Sequence, residues 1–172
     1  MSGTQSARTV ADGLRQAMLA EQEGHHFYQM AARATDDPQG KQVFERLARE
    51  ELEHFEFLKA QFKAVLQDGA PDASLKLGQP VALTGASPIF SAAIKERIGR
   101  AHYEMTALSV GAQLELAAER FYREAAAAAD NAVVRGFYEE LAEWEAGHYH
   151  ALLGQQESLK EDYWSEGGFA PF

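Results

Sequence analysis

The chain has 172 residues, 46% hydrophobic and 24% charged, enough for one domain with a substantial core. Its net charge of -10 argues against nucleic acid or an anionic membrane as partner, because both reward lysine and arginine. It has no cysteine, which excludes disulfides, thiolate zinc sites and iron centres or iron–sulfur clusters held by thiolates.

The opening segment, MSGTQSARTVADGLRQAMLA, has no apolar signal core, and no stretch nears the roughly 18 apolar residues of a membrane span, so a cytoplasmic protein is expected. A first helix is predicted over about 7–35, rich in Ala, Gln, Arg and Met. It stops at Thr35-Asp36-Asp37-Pro38, where Asp caps and Pro suits the first turn of a second helix over about 38–66. Residues 67–90 hold three prolines and three glycines and read as a long irregular connection, followed by a short helix over SAAIKERIGR. A third helix is predicted over about 104–129 and a fourth over about 131–159. Residues 160–172, with Tyr163, Trp164, Phe169 and Phe172, form an aromatic tail expected to be irregular and to pack back on the bundle or on a second subunit, a docking peptide being the other reading. Two helical hairpins joined by a long crossover make an all-α four-helix bundle over 1–159; the apolar β-branched runs of βαβ units are absent.

The chain repeats itself at an offset of 94 residues. Phe27-Tyr28 returns as Phe121-Tyr122, and Phe44, Leu47, Ala48 and Leu58 return as Tyr138, Leu141, Ala142 and Leu152. The repeat sorts the glutamates of EELEHFEFL (50–58). Glu50 falls on Trp144, Glu53 on Gly147 and Glu56 on His150, and these three read as a wet helix face. Glu51 and His54 fall on Glu145 and His148, and Glu21 falls on Glu115. At ~100° per residue, each Glu-x-x-His pair lies within ~60° on one helix face. Each of the four recurring glutamates interrupts an apolar stripe; around Glu51 the stripe is Phe44, Leu47 and Leu58. Glu21 and Glu51 are 30 residues apart about the turn at Asp36-Asp37-Pro38, as are Glu115 and Glu145 about Asp130-Asn131, so all six side chains can meet in one layer.

Four ionised carboxylates in an apolar core require countercharge, and two divalent cations would neutralise them. Carboxylates with one imidazole per metal suit iron or manganese rather than a soft metal. The expected metal ligands are Glu21, Glu51, His54, Glu115, Glu145 and His148.

On Glu21, EELEH, Glu115 and EAGH, the chain resembles the ferritin-like superfamily over residues 7–155, and specifically a rubrerythrin-type protein without a rubredoxin domain. The resemblance implies two iron ions, with manganese the alternative, bridged by Glu51 and Glu145 and flanked by Glu21 and Glu115. Ala118 stands where peroxide-reducing rubrerythrins carry an additional carboxylate, with Glu119 beside it. Leu52 stands where a haem-binding methionine would follow the second-helix glutamate, so no haem is expected, and the lack of cysteine leaves no iron–sulfur cluster. Tyr28 and Tyr122 are candidate hydrogen-bond donors to the ligands and join the four glutamates as candidate catalytic residues, while His25 is a candidate guide for iron. The expected function is a non-haem di-iron oxidoreductase oxidising Fe(II) with O2 or H2O2, supplied with electrons by substrate iron or a separate donor protein, in a homodimer. An iron-storage protein and a non-catalytic metal-binding bundle acting through its tail are the alternatives.

Overall fold

The computed structural model describes residues 2–78 and 88–166, with side chains from Thr9 onward. Four long helices carry the fold: α1 (Ser2–Ala34), α2 (Pro38–Asp68), α3 (His102–Ala128) and α4 (Ala132–Glu166), with a short 3-10 helix (Ala92–Arg100) ahead of α3. α1 packs on α2 and α3 on α4 as two antiparallel hairpins, the expected all-α ferritin-like bundle. Among the described residues no helix is long and apolar enough to cross a membrane.

Local chemistry sets the boundaries. Asp37, with extended φ/ψ, caps α2 by accepting the Gly40 N–H at 2.8 Å, and Pro38 opens the helix. Gly69 closes α2 at φ 72, a left-handed cap that a side chain would disfavour, with its N–H bonded to the Val65 carbonyl. Asn131 accepts from the N–H groups of Val133 and Val134 and so starts α4.

α4 overruns its expected end and corrects the reading of the tail. Residues 160–166 contain neither proline nor glycine and continue the helix through Glu166. The Tyr163 hydroxyl lies 2.7 Å from His102 Nδ1, its ring packs on the core, and Asp162 pairs with Lys95 at 3.1 Å. This part of the expected tail therefore belongs to the bundle. Phe169 and Phe172 lie outside the described residues.

The core is divided into two apolar blocks. One holds Tyr28, Phe44, Leu47, Leu108, Ala112 and Leu152; the other holds Leu14, Ala17, Leu58, Tyr122, Tyr138 and Leu141. α2 and α3 both contribute their early residues to the first block, so they run parallel, as a long crossover requires. Along every helix the step from one block to the other spans one of the recurring glutamates.

The far end of the crossover is clasped to the α1–α2 turn. Besides capping α2, the Asp37 carboxylate accepts from Ser91 N at 3.0 Å and from Ser91 Oγ at 2.5 Å. Phe90 packs against Gly40, where a Cβ would collide with its ring. Buried Glu104 accepts from Arg97 at 2.8 Å and from Thr35 at 3.2 Å, tying α1, the 3-10 helix and α3 together. Replacing Asp37 with Ala removes the helix cap and both Ser91 bonds, and is expected to cost about 1–3 kcal/mol. Denaturant unfolding of D37A checks this, and an unchanged midpoint would show the clasp to be idle.

Candidate metal centre

The layer between the two apolar blocks is polar and buried. Glu21, Glu51, His54, Glu115, Glu145 and His148 are all buried, and the structure brings all six together. Their donor atoms form two overlapping quartets, each with all four atoms within 4.8 Å of one another: Glu21, Glu51, His54 and Glu145, and Glu51, Glu115, Glu145 and His148. Glu51 and Glu145 belong to both. Each quartet could hold a metal ion, and the two would share Glu51 and Glu145.

His54 turns Nδ1 inward, 3.2 Å from Glu21 and 3.1 Å from Glu145. His148 also turns Nδ1 inward, 3.6 Å from Glu51, 3.7 Å from Glu115 and 3.4 Å from Glu145. The two rings stack at a 6.3 Å centroid separation. Glu51 is held close to α1 because residue 24 is glycine; a Cβ there would come within 2.9 Å of Glu51 Oε2.

The two tyrosines act crosswise between the hairpins. Tyr28 of α1 donates to Glu115 of α3, and Tyr122 of α3 donates to Glu21 of α1. Burial raises both phenols well above their ordinary value, with Glu115 first among the charges at Tyr28 and Glu21 at Tyr122. Each proton therefore stays on the phenol oxygen.

Other expectations need correction. Glu50, read as part of a wet face, is buried and bonded to His148 Nε2 at 2.7 Å. Glu53 and Glu56 are exposed as expected. Glu119 turns away from the six and accepts from Arg123 Nε at 2.7 Å, and His25 Nδ1 lies 2.5 Å from the Ala48 carbonyl, so neither joins the quartets. Two sequence signals could have exposed Glu50: it precedes His54 by one helical turn on the same face, and its repeat equivalent is the apolar Trp144.

The donor set fits metal ions. Glu51 Oε1, both oxygens of Glu145 and His148 Nδ1 are buried without a hydrogen-bond partner. Among the described residues no lysine or arginine forms an ion pair with any of the six. Orphaned donors of this kind are costly unless a cation takes them up. Without metal the cluster is stabilised by protons instead. Burial, reinforced by Glu145, Glu115 and Glu21, pushes Glu51 well above the usual carboxylate range. Burial and Glu145 push Glu115 up to about 8. Burial also opposes ionisation of Glu145, but the charge of His54 and the closeness of both imidazoles outweigh it and hold that carboxyl below its usual range. Burial disfavours charge on the imidazoles too, yet their carboxylate neighbours raise both well above the ordinary histidine value.

The signs set the pH behaviour of the metal-free protein. Glu51 and Glu115 favour the fold fully below the ordinary value of 4.5, and that contribution is lost as pH rises through their folded values, about 8 for Glu115. The two histidines act in the same sense, while the contribution of Glu145 is lost on acidification. Metal-free protein is therefore expected to melt progressively lower as pH rises from about 6 to about 9. Metal loading should raise the melting temperature, flatten this slope and release protons. Melting curves across pH with and without metal check this, and superimposable curves would refute it. Gly24→Ala should push Glu51 aside and weaken metal binding in calorimetry while leaving the helical circular dichroism intact.

A family model described as Rubrerythrin matches residues 12–106, more than half of the chain. That stretch includes Glu21, Glu51 and His54; Glu115, Glu145 and His148 lie beyond it and are connected to it by the internal repeat and the shared quartets. No match was found among curated proteins or among solved structures. With a bundle of this topology around two overlapping carboxylate–histidine quartets, the chain belongs to the rubrerythrin family of the ferritin-like superfamily.

Proposed function

We propose that the protein is a non-haem di-iron oxidoreductase that takes electrons from Fe(II) and delivers them to H2O2 or O2. The observation that carries this reading is the pair of buried quartets sharing Glu51 and Glu145 beside a cavity that reaches three of the six ligands. In the proposed site Glu21 and His54 would hold one metal and Glu115 and His148 the other, with Glu51 and Glu145 available to both. Bound iron would supply the redox chemistry: two ferrous ions becoming ferric release two electrons, which with two protons reduce one H2O2 to two waters.

The chain's own residues do the rest. The crossed tyrosine bonds hold Glu21 and Glu115 in place without giving up their protons, so each terminal carboxylate keeps a fixed orientation while charge at the centre changes. The cavity, of about 210 Å³, opens between α1 and α3, the seam between the hairpins, and contacts Glu21, Glu51 and Glu115. Its walls are largely apolar, with Ala20, Leu114, Ala118 and Phe121, and its size admits a small oxidant. Ala118 leaves space in this wall that a larger side chain would fill. Glu119 does not replace a carboxylate there, because Arg123 holds it. The electrons are proposed to come from substrate iron or a separate donor protein, since this sequence has no cysteine to hold a thiolate-bound iron centre. A homodimer is the proposed assembly, and sizing of the metal-loaded protein separates it from a storage cage.

Anaerobic protein should bind two Fe(II) per chain and develop ferric absorbance when mixed with H2O2 or O2 separately, the faster reaction naming the oxidant. Failure to bind two, or no ferric band with either, would refute the reading. Ala118→Phe should slow oxidation several-fold with two Fe(II) still bound, whereas an unchanged rate would place the oxidant's route elsewhere.

A further inference from the structure

The two halves of the metal layer follow the repeat closely, and Glu50 and Trp144 are one place where they part. Glu50 of α2 and Trp144 of α4 are equivalent in the repeat, each preceding the motif glutamate. Both are buried, and each meets the histidine of the opposite hairpin. Glu50 Oε2 accepts from His148 Nε2 at 2.7 Å. Trp144 sets its ring edge-on to His54 at a 4.7 Å centroid separation, and His54 Nε2 has no hydrogen-bond partner. One imidazole therefore leans on a carboxylate and the other on an indole.

Building on the di-iron reading above, we propose that Glu50 is a positioning residue that makes the two metal sites unequal, with the His148 site the tighter. A carboxylate accepting Nε2–H fixes the His148 tautomer, leaves the Nδ1 lone pair facing Glu51, Glu115 and Glu145, and strengthens that nitrogen as a donor. It also places a further acidic side chain near one metal position, which favours a more highly charged cation there. His54 has neither aid. Its outer nitrogen faces no acceptor, so its orientation rests on packing against Trp144 and on contacts with Glu21 and Glu145. A purely structural Glu50 would have both oxygens paired, but Glu50 Oε1 is buried with no hydrogen-bond partner. Such a group costs stability and earns its place through what Oε2 holds.

The same side of the layer differs one shell further out. Tyr122, the donor to Glu21, stacks on Tyr138 at 5.8 Å, whereas Tyr28, the donor to Glu115, stacks on Phe44 at 6.2 Å. The His54 half is thus enclosed by Trp144, Tyr122 and Tyr138, and the His148 half by Glu50, Tyr28 and Phe44. The pairing of a firmly held metal with a more exchangeable one follows from this inequality.

The test is a stepwise Co(II) titration of the intact metal-free protein, read by visible absorption and calorimetry. Wild type is expected to fill in two resolved steps. Glu50→Ala should weaken the tighter step by about 10–100-fold and leave the weaker step in place. Glu50→Gln, which keeps an acceptor without the charge, should fall between, and melting of the metal-free variants reports whether they fold. In a His148→Ala background the Glu50→Ala substitution should add nothing to the loss, because the two act as one unit. Two equal steps in wild type, an unchanged tighter step in both Glu50 variants, or an equal loss in both steps would each overturn the proposal. Failure of wild type to bind two Co(II) in the core would instead remove the di-iron reading on which it rests.

Discussion

Burying four carboxylates in one layer of the core is the constraint on which the rest of this bundle depends. A glutamate inside an apolar core has to be neutralised by a proton or by a cation, and among the described residues no lysine or arginine pairs with this layer. The helices are built to tolerate it: a glutamate interrupts each apolar stripe at the same level, and large apolar blocks lie above and below. Those blocks supply the folding energy, while the layer between them stores electrostatic cost that a bound cation would relieve.

Held in this way, the layer is also a joint between the hairpins. Each hairpin binds its partner through a tyrosine donated across the seam, and Glu51 and Glu145 each belong to both quartets. Metal ions in these positions would lock α2 to α4 where direct helix packing is interrupted. The seam between α1 and α3 stays partly open and carries the cavity, so access and cross-linking are divided between opposite sides of the same layer. Asp37 and Glu104 anchor the crossover and its neighbours at the end of the bundle, away from the chemistry.

Internal duplication explains why the site is nearly symmetric, and the departures from it are chemically specific. Phe44 against Tyr138 and Glu50 against Trp144 are both substitutions around the layer rather than in it. The six inner donors and the two tyrosines that bond to them keep the repeat; the groups behind the two imidazoles do not. A two-metal centre can become unequal through this outer ring without losing a ligand, because hydrogen bonds to the far side of an imidazole alter its donor strength.

The six donors, their common level and the four-helix architecture were all legible in the sequence, because helical spacing and a 94-residue repeat are one-dimensional properties. Helix boundaries at Asp37-Pro38, Gly69 and Asn131 were legible for the same reason, since caps are local chemistry. The pairing of Tyr28 with Glu115 and Tyr122 with Glu21 was not, because it depends on how one hairpin lies against the other. Nor was the helical course of residues 160–166, which is accompanied by contacts of Tyr163 and Asp162 with residues about sixty positions earlier. Glu50 shows the division most clearly: its composition and failure to repeat pointed to solvent, and only the folded bundle brings His148 from 98 positions away to receive it. A charged residue's burial is set by what faces it, and facing is a property of the tertiary structure.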